Sequence, residues 1–72
     1  MPLTLMVNGE TRVLDPAPDP ASLAEVVALL ANNPQLVVAE HNGVIAPRSR
    51  WDSIVVKDDD TLEIVTIVGG GS

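Results

Sequence analysis

Apolar residues alternate with polar ones at the start of the chain. Leu3, Leu5 and Val7 fall on one face of an extended segment, with Thr4 and Met6 on the other. Asn8-Gly9 follows, and this dipeptide tolerates the positive φ values that a two-residue hairpin turn needs at both central positions. Glu10-Thr11-Arg12-Val13-Leu14 is then the returning strand. Three prolines within Asp15–Pro20 remove backbone donors and fix φ, so this stretch is a stiff connector. A helix begins after it, and two start signals compete. Asp19 can cap with Pro20 at the first helical position, or Ser22 can cap with Glu25 at the capping-box spacing. Leu23, Val26, Val27 and Leu30 recur at helical spacing on one face, and Asn32-Asn33-Pro34 ends the helix.

Beyond the helix the pattern returns to strands. Leu36–Glu40 is a β-rich run, expected to be buried on both faces for part of its length. Asn42-Gly43 is a second tight turn, with Val44-Ile45 extended after it. Pro47–Asp52 is irregular, with room for one helical turn. Ile54–Val56 reads as a short strand, Lys57–Asp60 as a polar turn, and Leu62–Val68 as the last strand. Residues 69–72, Gly-Gly-Gly-Ser, form a tail with no side chains to pack. The order of two strands, one helix and two or three further strands predicts an α+β fold. One helix packs across a mixed sheet of four to five strands. The domain covers 1–68 and the tail 69–72.

Length and charge narrow the function. At 72 residues the chain makes one small domain with little room for an enclosed pocket. Ten Asp+Glu against four Lys+Arg leave a formal net charge of -6, which disfavours binding to phosphate backbones, so no nucleic acid is expected as a partner. No apolar run reaches the ~18 residues of a membrane span, and no secretory leader is visible, so a cytoplasmic location and no membrane partner are expected. There is no Cys, hence no disulfide, thiol nucleophile or thiolate metal site.

Few residues carry chemistry. Three adjacent Asp, Asp58-Asp59-Asp60, do not converge on a cation without a shaped loop and read as a solvated turn. His41 stands without a second ligand and reads as a surface or turn residue. Arg48 and Arg50 are expected to pair within the chain, for instance with the connector's aspartates; an acidic partner is the alternative. Trp51, the only aromatic, is expected to plug one end of the core. On the last strand Leu62, Ile64, Thr66 and Val68 share one face, and Glu63, Val65 and Ile67 the other. Val65 and Ile67 are expected at the surface, where they dock a partner or merely cover a sheet edge. Glycines without Cβ pass through narrow channels, and a carboxylate at their end is a group that adenylation turns into an electrophile; an unstructured end or a cloning remnant is the other reading.

Several of these segments together resemble the ThiS family, sulfur carriers of thiamine biosynthesis. The resemblance rests on Val7-Asn8-Gly9-Glu10, on Asn42 to Trp51 with its Pro-Arg-x-x-Trp, and on the block from Lys57-Asp58-Asp59-Asp60 through Leu62–Val68 to Gly69-Gly70-Gly71. It covers nearly the whole chain and implies a β-grasp, ubiquitin-like fold. It also implies a co-substrate rather than an enzyme, with no cofactor bound. An E1-like enzyme of the ThiF type would adenylate the terminal glycine, Gly71 or after further trimming Gly70, using ATP and magnesium. A sulfur donor would convert the product to a thiocarboxylate, and a thiazole synthase of the ThiG type would consume it. Val65, Ile67, Val68, Gly69 and Gly70 would meet these partners. Two positions depart from the family. Asp59 stands where Gly is usual, and Asp accepts left-handed backbone less readily. Ser72 follows the glycines, which calls for its removal before activation or marks it as a cloning remnant. Carriers of the same fold for molybdopterin synthesis or tRNA thiolation share the glycine end, and a ubiquitin-like interaction domain would not need it.

Overall fold

The computed structural model describes residues 1–67. Strand β1 (Leu3–Val7) pairs antiparallel with β2 (Glu10–Leu14) across the Asn8-Gly9 turn, where φ is 51° and 82°. Asn42-Gly43, with φ of 53° and 85°, joins β3 (Val37–His41) to β4 (Val44–Ala46) in the same way. A Cβ on Gly9 or Gly43 would meet nothing, so backbone conformation alone selects glycine there. The last strand, β5 (Thr61–Thr66), lies between the two hairpins, parallel to β1 and antiparallel to β3. The sheet is therefore mixed and five-stranded, in the order β2-β1-β5-β3-β4, within the expected range.

Helix α1 (Leu23–Leu30) crosses one face of it. Of the two competing start signals the structure uses Ser22. Its backbone is extended (φ -70°, ψ 155°), and its Oγ accepts the Glu25 N–H at 3.2 Å. Leu23, Val26 and Val27 are buried, and Leu30 is half-buried at the margin. The helix closes with the Ala31 N–H on the Val27 carbonyl, ahead of the predicted Asn-Asn-Pro stop. The alternating faces of β1 and β5 supply Leu3, Leu5, Val7 and Leu62 from below, and Trp51 closes one end as expected. The Trp51 ring is buried and its Nε1–H donates to the Ala46 carbonyl at 2.9 Å. Among the described residues no buried side-chain nitrogen or oxygen lacks a partner.

Three expectations change. Ile54–Val56 is not a strand of the sheet. A 3-10 turn over Arg48–Ser53 lifts the chain off the sheet and over the start of α1. There Leu23 N–H donates to Ile54 O and Val56 N–H to Ala21 O, forming one isolated bridge between Ser22 and Val55. Second, β3 is buried on one face only. Val37 and Ala39 face the helix, while Val38 is 38% exposed, because a single helix covers only one side. Third, β5 ends at Thr66; Val68 and the tail lie outside the described residues. No helix among the described residues is long and apolar enough to cross a membrane.

Leu62 is fully buried at the centre of the sheet. Leu62→Ala is expected to cost about 2–5 kcal/mol, comparable with the whole stability of a chain this small. Urea unfolding followed by the fluorescence of Trp51, the only aromatic residue, checks this.

Candidate functional site

The described residues end at Ile67, two positions before the glycine run in sequence. Thr66 is the last residue of β5, and Ile67 stays tied to the sheet through its N–H, which donates to Leu36 O at 2.6 Å. Alternation along β5 sends Leu62 and Ile64 toward the helix and Glu63 and Val65 to the uncovered face. Val65 is 61% exposed and Ile67 53%, as expected from the sequence. Val38 lies directly opposite Val65 across β3, and Ile45 on β4, 63% exposed, continues the apolar strip. A shallow depression of about 270 Å³ joins Val38, Ile45, Pro47, Arg48, Trp51 and Ile67. Beside this strip Glu40 and Glu63 are direct cross-strand neighbours on the same face. Like charges so placed repel, so the strip carries an unbalanced acidic flank.

The acidic turn has a different job. Asp58 Oδ1 accepts the Thr4 N–H at 2.9 Å, and Asp60 Oδ2 accepts the Lys57 N–H at 2.9 Å. Asp59 adopts φ 69° and donates its N–H to Thr4 O. Aspartate thus takes the left-handed conformation that glycine takes most easily. The three carboxylates do not converge, and no metal-binding group of acidic and His side chains forms among the described residues. Asp60 and His41 correct the expectation of a solvated turn and an isolated ring. His41 Nε2 lies 2.8 Å from Asp60 Oδ2, and both side chains are largely shielded. Partial burial by itself would raise the Asp60 pKa. The Lys57 N–H, the His41 ring, the Asn42 side chain and the charge on His41 outweigh it, so the carboxyl titrates below its ordinary value.

The two arginines also differ from expectation. Arg48 binds no carboxylate among the described residues; its guanidinium donates to the carbonyls of Pro34, Gln35 and Val37 and stacks over Trp51. Arg50 forms no ion pair among the described residues, where His41–Asp60 is the one pair within 4 Å. Of the expected site residues, Val65 and Ile67 stand together at the surface, while Val68, Gly69, Gly70 and Gly71 lie outside the described residues. Val38, Ile45 and the Glu40–Glu63 pair join the site only through strand register. A one-sided β3 would have predicted Val38 and Glu40 on one face, but the sequence does not say which strand lies opposite.

Comparison with known proteins fits this geometry. The sequence profile of the ThiS family matches residues 5–71. This chain belongs to the ThiS family. The ThiS family's members are small sulfur carriers of thiamine biosynthesis, and the observed sheet and helix are their β-grasp fold. The crystal structure of the thiamine biosynthesis protein ThiS from Geobacter metallireducens superposes with a TM-score of 0.79 at 33% identity, covering 96% of this chain and 100% of that one. The uncharacterized protein ycf40 of Trieres chinensis is 32% identical over 68 residues, 94% of this chain and 89% of that protein. A thiazole synthase of Paramagnetospirillum magneticum is 33% identical over 70 residues, 97% of this chain but only 21% of the synthase.

The lowered pKa of Asp60 makes stability pH-dependent. A depressed carboxylate contributes stability above its unfolded value, near 3.9, and loses it as pH falls through the folded value. Urea midpoints measured from neutral pH down through pH ~4 and below are expected to fall less steeply for Asp60→Asn than for the unchanged chain.

Proposed function

We propose that this ThiS-family protein carries sulfur as a thiocarboxylate on Gly71. The observation that carries the proposal is the exposed Val65–Ile67 strip, which only Val68 separates in sequence from the Gly-Gly-Gly run. Further support is that the family match runs through Gly71 and leaves Ser72 outside. Hydrolysis of the Gly71–Ser72 bond frees the glycine carboxylate. An E1-like enzyme of the ThiF type then directs a carboxylate oxygen onto the α-phosphorus of magnesium-bound ATP, with pyrophosphate leaving. A donor at the oxidation level of sulfide attacks the acyl carbon of the adenylate, AMP leaves, and a thiocarboxylate remains. The ATP and magnesium belong to the activating partner. The carrier supplies a docking surface and a reactive end narrow enough for a closed site.

A thiazole synthase of the ThiG type is the proposed acceptor of the sulfur. The support is the thiazole synthase of P. magneticum, in which a stretch similar to this whole domain forms about a fifth of the chain. The uncovered sheet face suits a partner surface with an apolar centre and basic residues against Glu40 and Glu63.

Intact-mass measurement tests the reading. The chain with and without Ser72 is incubated with a ThiF-type enzyme, ATP and a sulfur donor. Exchange of one oxygen for sulfur, located to a terminal Gly71 and seen only in the trimmed form, is the expected result. No exchange in either folded form, with an enzyme active on its own carrier, would leave an interaction domain instead. Val65→Asp and Ile67→Asp are each expected to lower the activation rate by about tenfold or more, since they place a charge in an apolar contact. Both side chains are exposed, so stability should stay within about 0.5 kcal/mol. Equal losses of folding and activation would place these residues in the core instead.

A further inference from the structure

Arg48 opens the 3-10 turn Arg48–Ser53, but its bonds go to a distant segment. Nη1 donates to Pro34 O at 3.0 Å, and Nη2 donates to Gln35 O at 2.7 Å and to Val37 O at 3.2 Å. These carbonyls belong to the three-residue 3-10 turn Pro34–Leu36 and to the first residue of β3. So short a turn has few hydrogen bonds of its own and leaves carbonyls to be satisfied from outside. Arg48 is the only side chain that donates to it among the described residues. The remaining carbonyl of the segment, Leu36 O, accepts the Ile67 N–H. One side of Pro34–Val37 is thus held by Arg48, and the other holds the last described residue before the glycines. Arg48 is itself anchored, with Cζ 4.8 Å from the centre of the buried Trp51 ring.

We propose that Arg48 is a positioning residue for the C-terminal segment. It fixes the main chain at Ile67, acting through the Pro34–Val37 backbone. The consequence for activation rests on the function proposed above; the mechanical link from Arg48 to Ile67 does not. The link needs the planar fork of arginine. Lysine keeps the charge but cannot span three carbonyls while stacking on Trp51. This separates positioning from a simple cationic contact to an acidic partner.

The experiment compares Arg48→Ala, Arg48→Lys and, as a control, Arg50→Ala, in the full chain and in the form ending at Gly71. Amide hydrogen exchange is read by NMR at Ile67 and at Ile64, whose N–H is held instead by Asn8 Oδ1. After correction for any change in global stability, exchange at Ile67 is expected to rise by about fivefold to tenfold in both Arg48 variants. Ile64 and the Arg50 variant should stay at the level of the unchanged chain. With a ThiF-type enzyme, kcat for pyrophosphate release is expected to fall by about tenfold in both Arg48 variants, well beyond any rise in KM, because the carboxylate is misplaced. Unchanged Ile67 exchange overturns the proposal, as does a Lys variant that matches the unchanged chain in both readouts. Faster exchange with unchanged kcat also overturns the positioning role. If the unchanged chain is not activated at all, the proposed function fails, and the exchange comparison still decides whether Arg48 holds Ile67.

Discussion

Two asparagine side chains hold the central strand from opposite sides, and the rest of the sheet depends on them. Among the described residues β5 alone joins the two hairpins. Its regular pairing with β1 covers just Met6–Thr61 and Val7–Leu62. Asn8 extends this ladder with its side chain. Oδ1 accepts the Ile64 N–H at 2.7 Å and Nδ2 donates to Ile64 O at 3.0 Å, the double bond that a neighbouring strand would make. On the other edge Asn42 Oδ1 accepts the Thr61 N–H at 2.8 Å while the Asn42 N–H donates to Thr61 O at 2.8 Å. Both asparagines have left-handed backbone, and both turn inward. Aspartate or glycine could make either turn. Of these three residues only asparagine has a side chain that offers a donor and an acceptor together, which the Asn8 position uses. With β5 fixed, Leu62 is held in the core and Val65 and Ile67 are held out of it.

This arrangement shows which features could be read from the sequence. The hairpin turns, the apolar face of the helix and the alternation along the last strand are local, and each follows from a few adjacent residues. So does the exposure of Val65 and Ile67 once Leu62 is assigned to the core. What could not be read depends on segments distant in sequence. Leu36–Glu40 has the composition of a strand buried on both faces; only the single helix layer leaves Val38 in the open. Ile54–Val56 has strand-forming residues but meets the residues before α1 rather than a sheet edge. His41 and Asp60 lie 19 residues apart and become partners only because β3 and β5 are neighbours. The acceptors of Arg48 are backbone carbonyls, which no residue type announces.

The single helix also has a functional side. Covering one face of a five-stranded sheet buries enough aliphatic surface to fold the domain and leaves the other face free. Natural sheets commonly solvate such a face with polar residues. Here Val38, Val65 and Ile45 interrupt that pattern next to the end of β5, while Glu40 and Glu63 oppose each other beside them. Neither feature contributes to the isolated domain's stability: the apolar groups remain wet and the carboxylates repel. Both suit the partner surface proposed above, which would cover the apolar strip and neutralise the acids.

A carrier of this kind has to meet two opposed requirements. Under the function proposed above the reacting end must be thin, which glycines provide because they lack Cβ, but the same lack leaves Gly69, Gly70 and Gly71 no side chain with which to anchor themselves. Whatever directs them must therefore act upstream. Ile67 is the last side chain available for both purposes short of Val68. Its apolar group is exposed beside the apolar strip, while its N–H is bound to Leu36 O. That hydrogen bond has a fixed direction only if Leu36 does, and the short turn carrying Leu36 is fixed from behind by Arg48 on Trp51. The Pro-Arg-x-x-Trp segment thus supports the backbone that holds Ile67. Its arginine is committed to main-chain carbonyls inside the domain, which leaves the strip and the two carboxylates as the surface of the docking proposed above.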